Sequence, residues 1–543
     1  MRVALAQINS HLGQFQKNRQ KILEYVERAV DRRVDVVVFP EASLFGYHPM
    51  DLLERAEIVD QQLRELELLH KQIPAGVLVL VGAFTKNPSA KGKPYFNSAV
   101  ALERGKKPKY FNKELLPTYD VFDDARHIEP GDMANNVVKF KGQKILVTIC
   151  EDIWAWPSTT KKSTQKAQSQ KSFYESNPIR DFKRGSVDLV VNLSASPFFG
   201  GKFKQRLEVT TATARHLAAP IVYVNMVGAQ DELIFDGGSF ALNARGQKLV
   251  HSMHFEEDLS VVDFALDKGS GHVTEVKSIE SVRQALVLGI RDFVHKVGLS
   301  KVHLGLSGGI DSAVVACLAV DALGPQNVDL FALPGPHSTK LSLDLARDLA
   351  KNLDVELHKI EFTAVYEKLA ALIEAELGAT AFGVMHENLQ ARLRGVILMA
   401  ASNRSGSVLL NTTNKDELAA GYGTLYGDLC GGLSPIGDLL KGDVYALAEL
   451  YNSERELIPR KIITRAPTAE LRPNQKDQDT LPPYDDLDES VVRLIEKRGA
   501  ARTPTDKWLL EALDKSEFKR WQAPPILKVR EHSFGRGRRM PIA

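Results

Sequence analysis

Glu41, Lys113 and Cys150 are the side chains in this 543-residue sequence whose types could together cleave an amide. A thiol attacks only as its thiolate. A neighbouring ammonium stabilises that anion, and a carboxylate can carry its proton. The run Val36-Val37-Val38-Phe39-Pro40-Glu41 places a carboxylate directly after a buried stretch and a proline. The apolar run 145–149 ends at Cys150, which is followed by the polar pair Glu151-Asp152. Lys113 falls between them, in YFNKELLPTYDVFDDAR. Gathered at the carboxyl edge of a sheet, one Cys, one Lys and one Glu suffice for amide hydrolysis through a thioester. Taken singly they say less: a cysteine after an apolar strand is more often packing, Glu41 could cap a helix, and Lys113 could be solvated.

A second chemistry starts at Ser307. Leu304-Gly305-Leu306-Ser307-Gly308-Gly309-Ile310-Asp311-Ser312 follows an apolar run and opens a helical one. Glycines let the backbone approach an anion, and the free N–H groups at a helix start bind it. No Gly-Lys-Ser/Thr closes the loop, so it is not a Walker A loop. Its SGG-x-DS form resembles the pyrophosphate-loop ATPases, which cleave ATP between the α and β phosphates.

Such residues need sheets to position them. Short β-branched runs at 3–8, 34–39, 77–84, 145–149, 189–193 and 221–226 alternate with helical periodicity at 16–32, 51–70 and 205–218. Strand candidates at 239–243 and 259–264 end this half, predicting a layered α/β domain over residues 1–266. The Gly-rich break DKGSGH lies in a predicted linker at 267–275. From 276 to 543 the pattern restarts with a helix over 276–297. Strand–helix alternation through 302–306, 313–322, 328–333, 341–353 and 355–360 predicts a parallel sheet, with the glycine turn at its head. The proline-bearing stretch 464–488 predicts an extended loop, followed by helices at 488–498 and 505–515 and a basic tail.

Composition removes several classes of function. Apolar residues make up 44% and charged residues 25%, the balance of a chain with a full core rather than a disordered one. The 70 Lys+Arg against 68 Asp+Glu leave a net charge of +2, too little for a general nucleic-acid or membrane-surface binder. Three cysteines cannot build a disulfide framework, which predicts a cytoplasmic protein. The N-terminus MRVALAQINS lacks the pattern of a signal peptide, and no apolar run reaches the roughly eighteen residues of a membrane span.

FPE, NKELLPTYDVFDDAR and TICEDIW occur in the order found in the nitrilase (carbon–nitrogen hydrolase) superfamily, which residues 1–265 resemble. The resemblance implies a four-layer αββα sandwich, with Glu41 as general base, Lys113 supporting the oxyanion and Cys150 as nucleophile. LSASPFFGGK (193–202) is similar to the glutamine-binding segment of glutaminase domains, which implies Tyr119, Glu151, Ser196 and Lys202 around the glutamine. Asp124 stands where glutamine-using relatives often have Glu.

In the second half, ENLQAR (387–392), LNTTNKDELAAGY (410–422), YGD (426–428) and Leu440-Lys441 resemble the NAD synthetases. Those enzymes adenylate nicotinic acid adenine dinucleotide (deamido-NAD) with ATP and let ammonia displace AMP. The resemblance implies ATP contacts at Ser307, Gly308, Gly309, Asp311, Ser312, Thr412 and Lys441. It implies deamido-NAD contacts at Asn388, Glu417 and Lys519. Asp311 and Glu417 are the candidate Mg²⁺ ligands, since Mg²⁺ prefers oxygen donors; no tightly bound organic cofactor is expected. It further implies a homo-oligomer with dimeric synthetase domains or a higher assembly. LPGPHST (333–339) departs from the family's usual Met-Pro-Ser type segment on the adenine side.

Joined, the halves imply a ligase fed with ammonia from glutamine. The alternatives are another glutamine-dependent pyrophosphate-loop ligase or a non-catalytic nucleotide sensor. The related GMP and asparagine synthetases carry other glutaminase halves, one of them with a cysteine at position two, where this chain has Arg2. Residues 158–172, STTKKSTQKAQSQKS, match neither pattern; they contain four lysines and no carboxylate. They read as an inert surface insertion or as a lid or subunit contact beside Cys150, with Trp154 and Trp156 anchoring the start.

Overall fold

The computed structural model describes residues 1–55, 57–156, 174–270 and 278–542; the 158–172 insertion lies outside the described residues. Two compact units divide the chain, Met1–Gln230 with Ile234–Glu275, and Asp231–Leu233 with Val276–Ala543.

The first unit is built on two sheets. β1 (Arg2–Gln7), β2 (Val36–Val38), β3 (Leu78–Lys86), β4 (Tyr95–Leu102) and β5 (Lys109–Asn112) lie side by side in one sheet. The second sheet holds β6 (Val137–Phe140), β7 (Gln143–Ile149), β8 (Leu189–Ser194) and β9 (Ile221–Asn225). A ribbon of β10 (Val227–Gln230) and β11 (Leu233–Asp236) stands apart. β12 (Phe240–Leu242) and β13 (Lys248–His251) extend the second sheet, and β14 (Asp258–Asp263) and β15 (Lys268–Ser270) the first. Their orders are β15-β14-β1-β2-β3-β4-β5 and β13-β12-β9-β8-β7-β6. β1, β2 and β3 are parallel to one another, as are β7, β8 and β9.

Side chains alternate between the two faces of a strand, and the sequence supplies apolar groups at both phases. Val3, Leu5, Val36, Val38, Leu78 and Leu80 meet Ile145, Val147, Ile149, Leu189, Val191 and Leu193 between the sheets. The opposite phase, Ala4, Ala6, Val37, Val79 and Val81, packs on α1 (Phe15–Asp31) and α2 (Ile58–Gln72). Leu146, Val190, Ile221 and Tyr223 pack on α3 (Lys202–Leu217). The layers therefore run αββα.

The residues read as a linker begin with an edge strand, because β15 pairs antiparallel with β14. α2 also starts later than its periodicity predicts. Met50–Glu54 forms a separate 3₁₀ turn, and Arg55 leaves it in an extended conformation (ψ 114°). Asp51 of that turn is drawn to Arg126 and His127 instead of continuing a helix.

In the second unit, α4 (Ser278–Lys296) precedes β16 (Val302–Gly305) and α5 (Ile310–Leu323). β17 (Val328–Ala332), α6 (Lys340–Asn352), β18 (Leu357–Lys359), α7 (Thr363–Leu377), α8 (Val384–Ser405) and β19 (Val408–Leu409) complete the layer. The sheet order is β18-β17-β16-β19, all parallel. Connections leave β16 in both directions, so the carboxyl end of β16 is the switch point where such sheets open a binding crevice.

Beyond the sheet lie α9 (Lys415–Ala420), α10 (Lys441–Tyr451), α11 (Arg460–Thr464), α12 (Tyr484–Val491) and α13 (Pro504–Arg520). The predicted 464–488 loop is irregular apart from a 3₁₀ turn at Asp477–Asp479, but its end is helical from Tyr484. Pro483 caps that helix, and Asp485 and Asp486 in its first turn complement the helix dipole. α13 starts at a Thr503 cap with Pro504 at its first position and runs five residues past the predicted end. The basic tail packs back: Phe534 is buried with Leu487, Leu509 and Leu513, while Trp521 stays exposed.

Candidate functional site

In the first unit, Cys150 leaves β7 with φ +45°, a left-handed conformation that a side chain resists. The strand ends there and a 3₁₀ turn, Cys150–Ile153, begins. Glu41 follows β2, and Gly82 of β3 makes room for it. A Cβ on Gly82 would lie 2.1 Å from the Ala42 nitrogen and 2.6 Å from the Glu41 carbonyl carbon.

Lys113 and Glu41 are each 1% exposed. The Lys113 ammonium donates to Glu41 Oε1 at 2.8 Å and to Asp124 Oδ2 at 2.8 Å. Asn97 Nδ2 also donates to Glu41 Oε1 at 2.8 Å, and the Ala195 N–H donates to Oε2 at 3.0 Å. The Glu41 carboxylate acts electrostatically on the Cys150 thiol. Burial opposes the charge on Lys113, but Asp124 and Glu41 outweigh it and hold that ammonium well above the usual lysine range. Burial, reinforced by Glu41, pushes the Cys150 thiol well above its usual range against the pull of Lys113. The resting site thus holds a neutral thiol facing a carboxylate able to take its proton as sulfur attacks.

The glutamine-side candidates gather beside this triad. The Tyr119 hydroxyl donates to Glu151 Oε1 at 2.8 Å. Burial raises the Glu151 carboxyl, and Lys202 pulls it back. The Lys202 ammonium sits 3.9 Å above the Trp154 ring. Ser196 is buried, and its hydroxyl oxygen accepts from Arg206 Nε at 3.2 Å. Arg206 is fully buried, pairs with Asp236 at 2.7 Å, and donates to the Ser196 carbonyl at 2.7 Å. Trp156 Nε1 donates to Thr213 on α3 at 2.9 Å, and both Trp154 and Trp156 pack on that layer. Sequence reasoning missed Asn97 and the Arg206–Asp236 pair, and left Asp124 without a role. Their partners lie 10 to 56 positions away, so no local pattern marks them.

In the second unit, the Ser307–Ser312 loop lies at the switch point. Gly308 takes φ +77°, and a Cβ there would lie 2.3 Å from the Ser342 carbonyl oxygen. The Ser307 and Ser312 hydroxyls are 3.0 Å apart, and the Gly309 N–H donates to Ser307 Oγ at 3.1 Å. A cavity of about 310 Å³ opens here, and Ser307, Gly309, Asp311, Ser312, Thr412 and Glu417 line it. Gly308, Asn388, Lys441 and Lys519 are not among the residues that line it.

Lys441 is 1% exposed; its ammonium donates to Asp311 Oδ2 at 2.6 Å and lies 3.9 Å from Glu417 Oε1. Asn414 Nδ2 donates to Asp311 Oδ1 at 2.9 Å. Burial first, then Asp311, pushes the Glu417 carboxyl up to about 8. Asp477 also lines the cavity and is raised by burial. Asp311 and Glu417 are partly buried and Asp477 is buried; all three border the cavity and offer the oxygen donors that Mg²⁺ prefers, but among the described residues their oxygens do not converge to ligand spacing.

The dinucleotide candidates converge on one turn after α9. Asn388 Oδ1 accepts from Thr424 at 2.7 Å, and the Lys519 ammonium donates to the Gly421 and Gly423 carbonyls, both at 2.8 Å. Lys519 thus braces the turn through backbone oxygens. The atypical 333–339 segment also reaches the cavity, and Arg394 Nε donates to the Leu333 carbonyl at 3.2 Å. Glu470 accepts from Thr339 Oγ1 at 2.9 Å and from Ser342 Oγ at 2.5 Å. Sequence reasoning named neither Arg394 nor Glu470.

Comparison with known proteins agrees with both halves. Residues 2–270 match the carbon–nitrogen hydrolase family and residues 282–523 match NAD synthase, which defines the class: an amide-hydrolysing unit joined to a nucleotide-dependent ligase unit. A glutamine-dependent NAD(+) synthetase of Synechocystis sp. is 42% identical, covering all of this chain and 98% of the relative. One of Thermotoga maritima is 37% identical over the same shares. The structure of an Acinetobacter baumannii glutamine-dependent NAD+ synthetase, in complex with ADP, superposes with a TM-score of 0.78 at 32% identity, covering all of this chain and 98% of that one. The chain belongs to the glutamine-dependent NAD(+) synthetases, carbon–nitrogen ligases of NAD biosynthesis. No helix among the described residues is long and apolar enough to cross a membrane.

Proposed function

We propose the following division of labour. Glu41 takes the Cys150 proton as sulfur attacks the glutamine carboxamide, and Lys113 stabilises the oxyanion of the tetrahedral adduct. As the adduct collapses, Glu41 returns that proton to the leaving nitrogen, so ammonia departs and a thioester remains, which water hydrolyses to glutamate with Glu41 again as base and the proton passing back to the Cys150 sulfur. Tyr119, Glu151, Ser196 and Lys202 recognise the rest of the glutamine, Ser196 through a position fixed by Arg206. The observation that carries this half is the Lys113 ammonium, buried beside the thiol and held at 2.8 Å from two carboxylates.

In the synthetase unit, residues 276–543, the Ser307–Ser312 loop binds the ATP phosphates with Thr412 and Lys441. The residues 417–424, braced by Asn388 and Lys519, receive deamido-NAD. Mg²⁺ held by Asp311 and Glu417 would offset phosphate charge as pyrophosphate leaves. Lys441, already seated between those carboxylates, keeps them apart from one another's charge until substrate arrives. Ammonia from the 1–266 unit then displaces AMP to give NAD. The 267–275 segment joins the two units.

The enzyme works in the cytoplasm, in keeping with three free cysteines, and as a homo-oligomer. Leu372, Leu377, Val384 and Val396 on α7 and α8 are 64%, 82%, 71% and 63% exposed, apolar surface suited to pairing of synthetase units. The test of the reaction is pyrophosphate release with deamido-NAD, ATP, Mg²⁺ and glutamine, leaving out one at a time. Release that persists without deamido-NAD, or that needs another acid in its place, would overturn the substrate assignment. Light scattering of the purified chain reads the assembly, and a monomer would overturn that part.

A further inference from the structure

Asp152 follows the nucleophile by two positions, and the mechanism above gives it no task. It is completely buried. Its Oδ1 accepts the Glu114 N–H at 2.9 Å and the Leu115 N–H at 3.0 Å, and its Oδ2 accepts the Ile149 N–H at 2.8 Å. Glu114 and Leu115 directly follow Lys113, and Ile149 directly precedes Cys150. One carboxylate therefore joins the segment that delivers the ammonium to the strand end that delivers the thiol.

We propose that Asp152 is a positioning residue of the glutaminase reaction, a clamp that sets the distance between Lys113 and Cys150. The need for a clamp is visible in the backbone. Cys150 sits at φ +45°, a conformation that persists only when its surroundings hold it. β5 ends at Asn112; past it the Lys113 N–H still donates to the Asn97 carbonyl of β4 at 2.9 Å and the Lys113 carbonyl accepts from the Gly131 N–H at 2.8 Å, but neither bond reaches the strand that carries Cys150. Those bonds fix Lys113 to its own sheet, and Cys150 lies one step past β7 in the other. The three amide bonds to Asp152 tie the Lys113 segment to the strand end that carries Cys150. Burial pushes the Asp152 carboxyl up to about 7 against the pull of these amides; its charged form takes stronger amide bonds than a neutral group would, which suits an aspartate here better than an asparagine.

Asp152→Asn tests the clamp. The amide keeps an oxygen for Glu114 and Leu115 but turns an NH₂ toward the Ile149 N–H, which cannot accept it. The strand end must shift. Displacement of a nucleophile by about 1 Å costs on the order of 10²-fold. The glutamine-dependent kcat should therefore fall by about tenfold or more, with KM for glutamine changed by less than about threefold, because the binding residues are untouched. Synthesis from ammonium salts by the same protein should stay within about twofold, which also shows that the variant is folded. The rate of Cys150 alkylation by iodoacetamide should change with the same substitution, since it reads the thiol's surroundings directly. Asp152→Ser, which lacks the repulsive amide but also the long reach, should show the same split between nitrogen sources. An unchanged glutamine-dependent kcat in Asp152→Asn would overturn the proposal, as would a rise in KM alone. A parallel loss with both nitrogen sources in both variants would overturn it too, since the residue would then support the fold in general.

Discussion

Replacing Lys113 with methionine removes the cation from a site that keeps both of its anions. Glu41 and Asp124 each lie 2.8 Å from the ammonium and are 1% and 6% exposed, so solvent cannot take its place. Breaking a buried ion pair by deleting one partner costs about 3–5 kcal/mol. For a unit of this size each kcal/mol is worth roughly 2–4 °C, so its melting temperature should fall by about 6–20 °C at neutral pH. The loss should shrink on acidification. In the parent, Lys113 has its pKa raised in the fold, so its stabilisation is fully present below the ordinary lysine value and fades only as pH rises through the higher folded value. The parent is accordingly insensitive to Lys113 across neutral pH. In the variant, two facing buried carboxylates favour taking up a proton, and carboxyls with raised folded pKa values stabilise most below their unfolded values and lose that as pH rises. Differential scanning calorimetry of the full chain between about pH 5 and 8 reads both effects, with ammonia-dependent synthesis as the check on the other unit. A variant that melts with the parent at every pH would refute the reasoning, because Lys113 would then not be holding the two anions.

Two further outcomes follow from the second unit. Asp311→Ala should lower synthesis with either nitrogen source by about 10²–10³-fold while glutamine hydrolysis continues, since a key electrostatic contact is lost; near-parental ammonia-dependent turnover would remove Asp311 from the site. Gly308→Ala places a methyl group 2.3 Å from the Ser342 carbonyl at φ +77°, so ATP binding measured by calorimetry should weaken by at least about tenfold. Equal ATP affinity in that variant would show that the loop does not need the close approach to α6.

Much of this molecule is legible along the chain because its chemistry sits at strand ends. β2, β7 and β16 are apolar runs of local pattern, and Glu41, Cys150 and Ser307 follow them within a few residues. The αββα layering is also readable, since alternate residues of β1, β2 and β3 are apolar at both phases. What the chain does not display is pairing at a distance. Asp124 beside Lys113, Arg206 beside Asp236, and Glu470 beside Thr339, 131 positions away, are each ordinary charged residues until the fold brings a partner. Element ends were lost for the same reason: Asp51 prolongs a helical period on paper, but Arg126 and His127 draw it into a separate turn. Lys519 was readable as a cation near an anionic substrate, whereas its ammonium is occupied by two backbone carbonyls. Composition could not reveal that preference.

The central claim is that Cys150 in one unit makes the ammonia that the other consumes. The direct measurement is NAD formation by Cys150→Ala with glutamine and, separately, with ammonium chloride, at saturating ATP, Mg²⁺ and deamido-NAD. Only the thioester route needs the thiol, so glutamine-dependent synthesis should vanish while ammonia-dependent synthesis stays at the parental rate. Glutamine-dependent synthesis that survives the loss of the thiol would contradict the account.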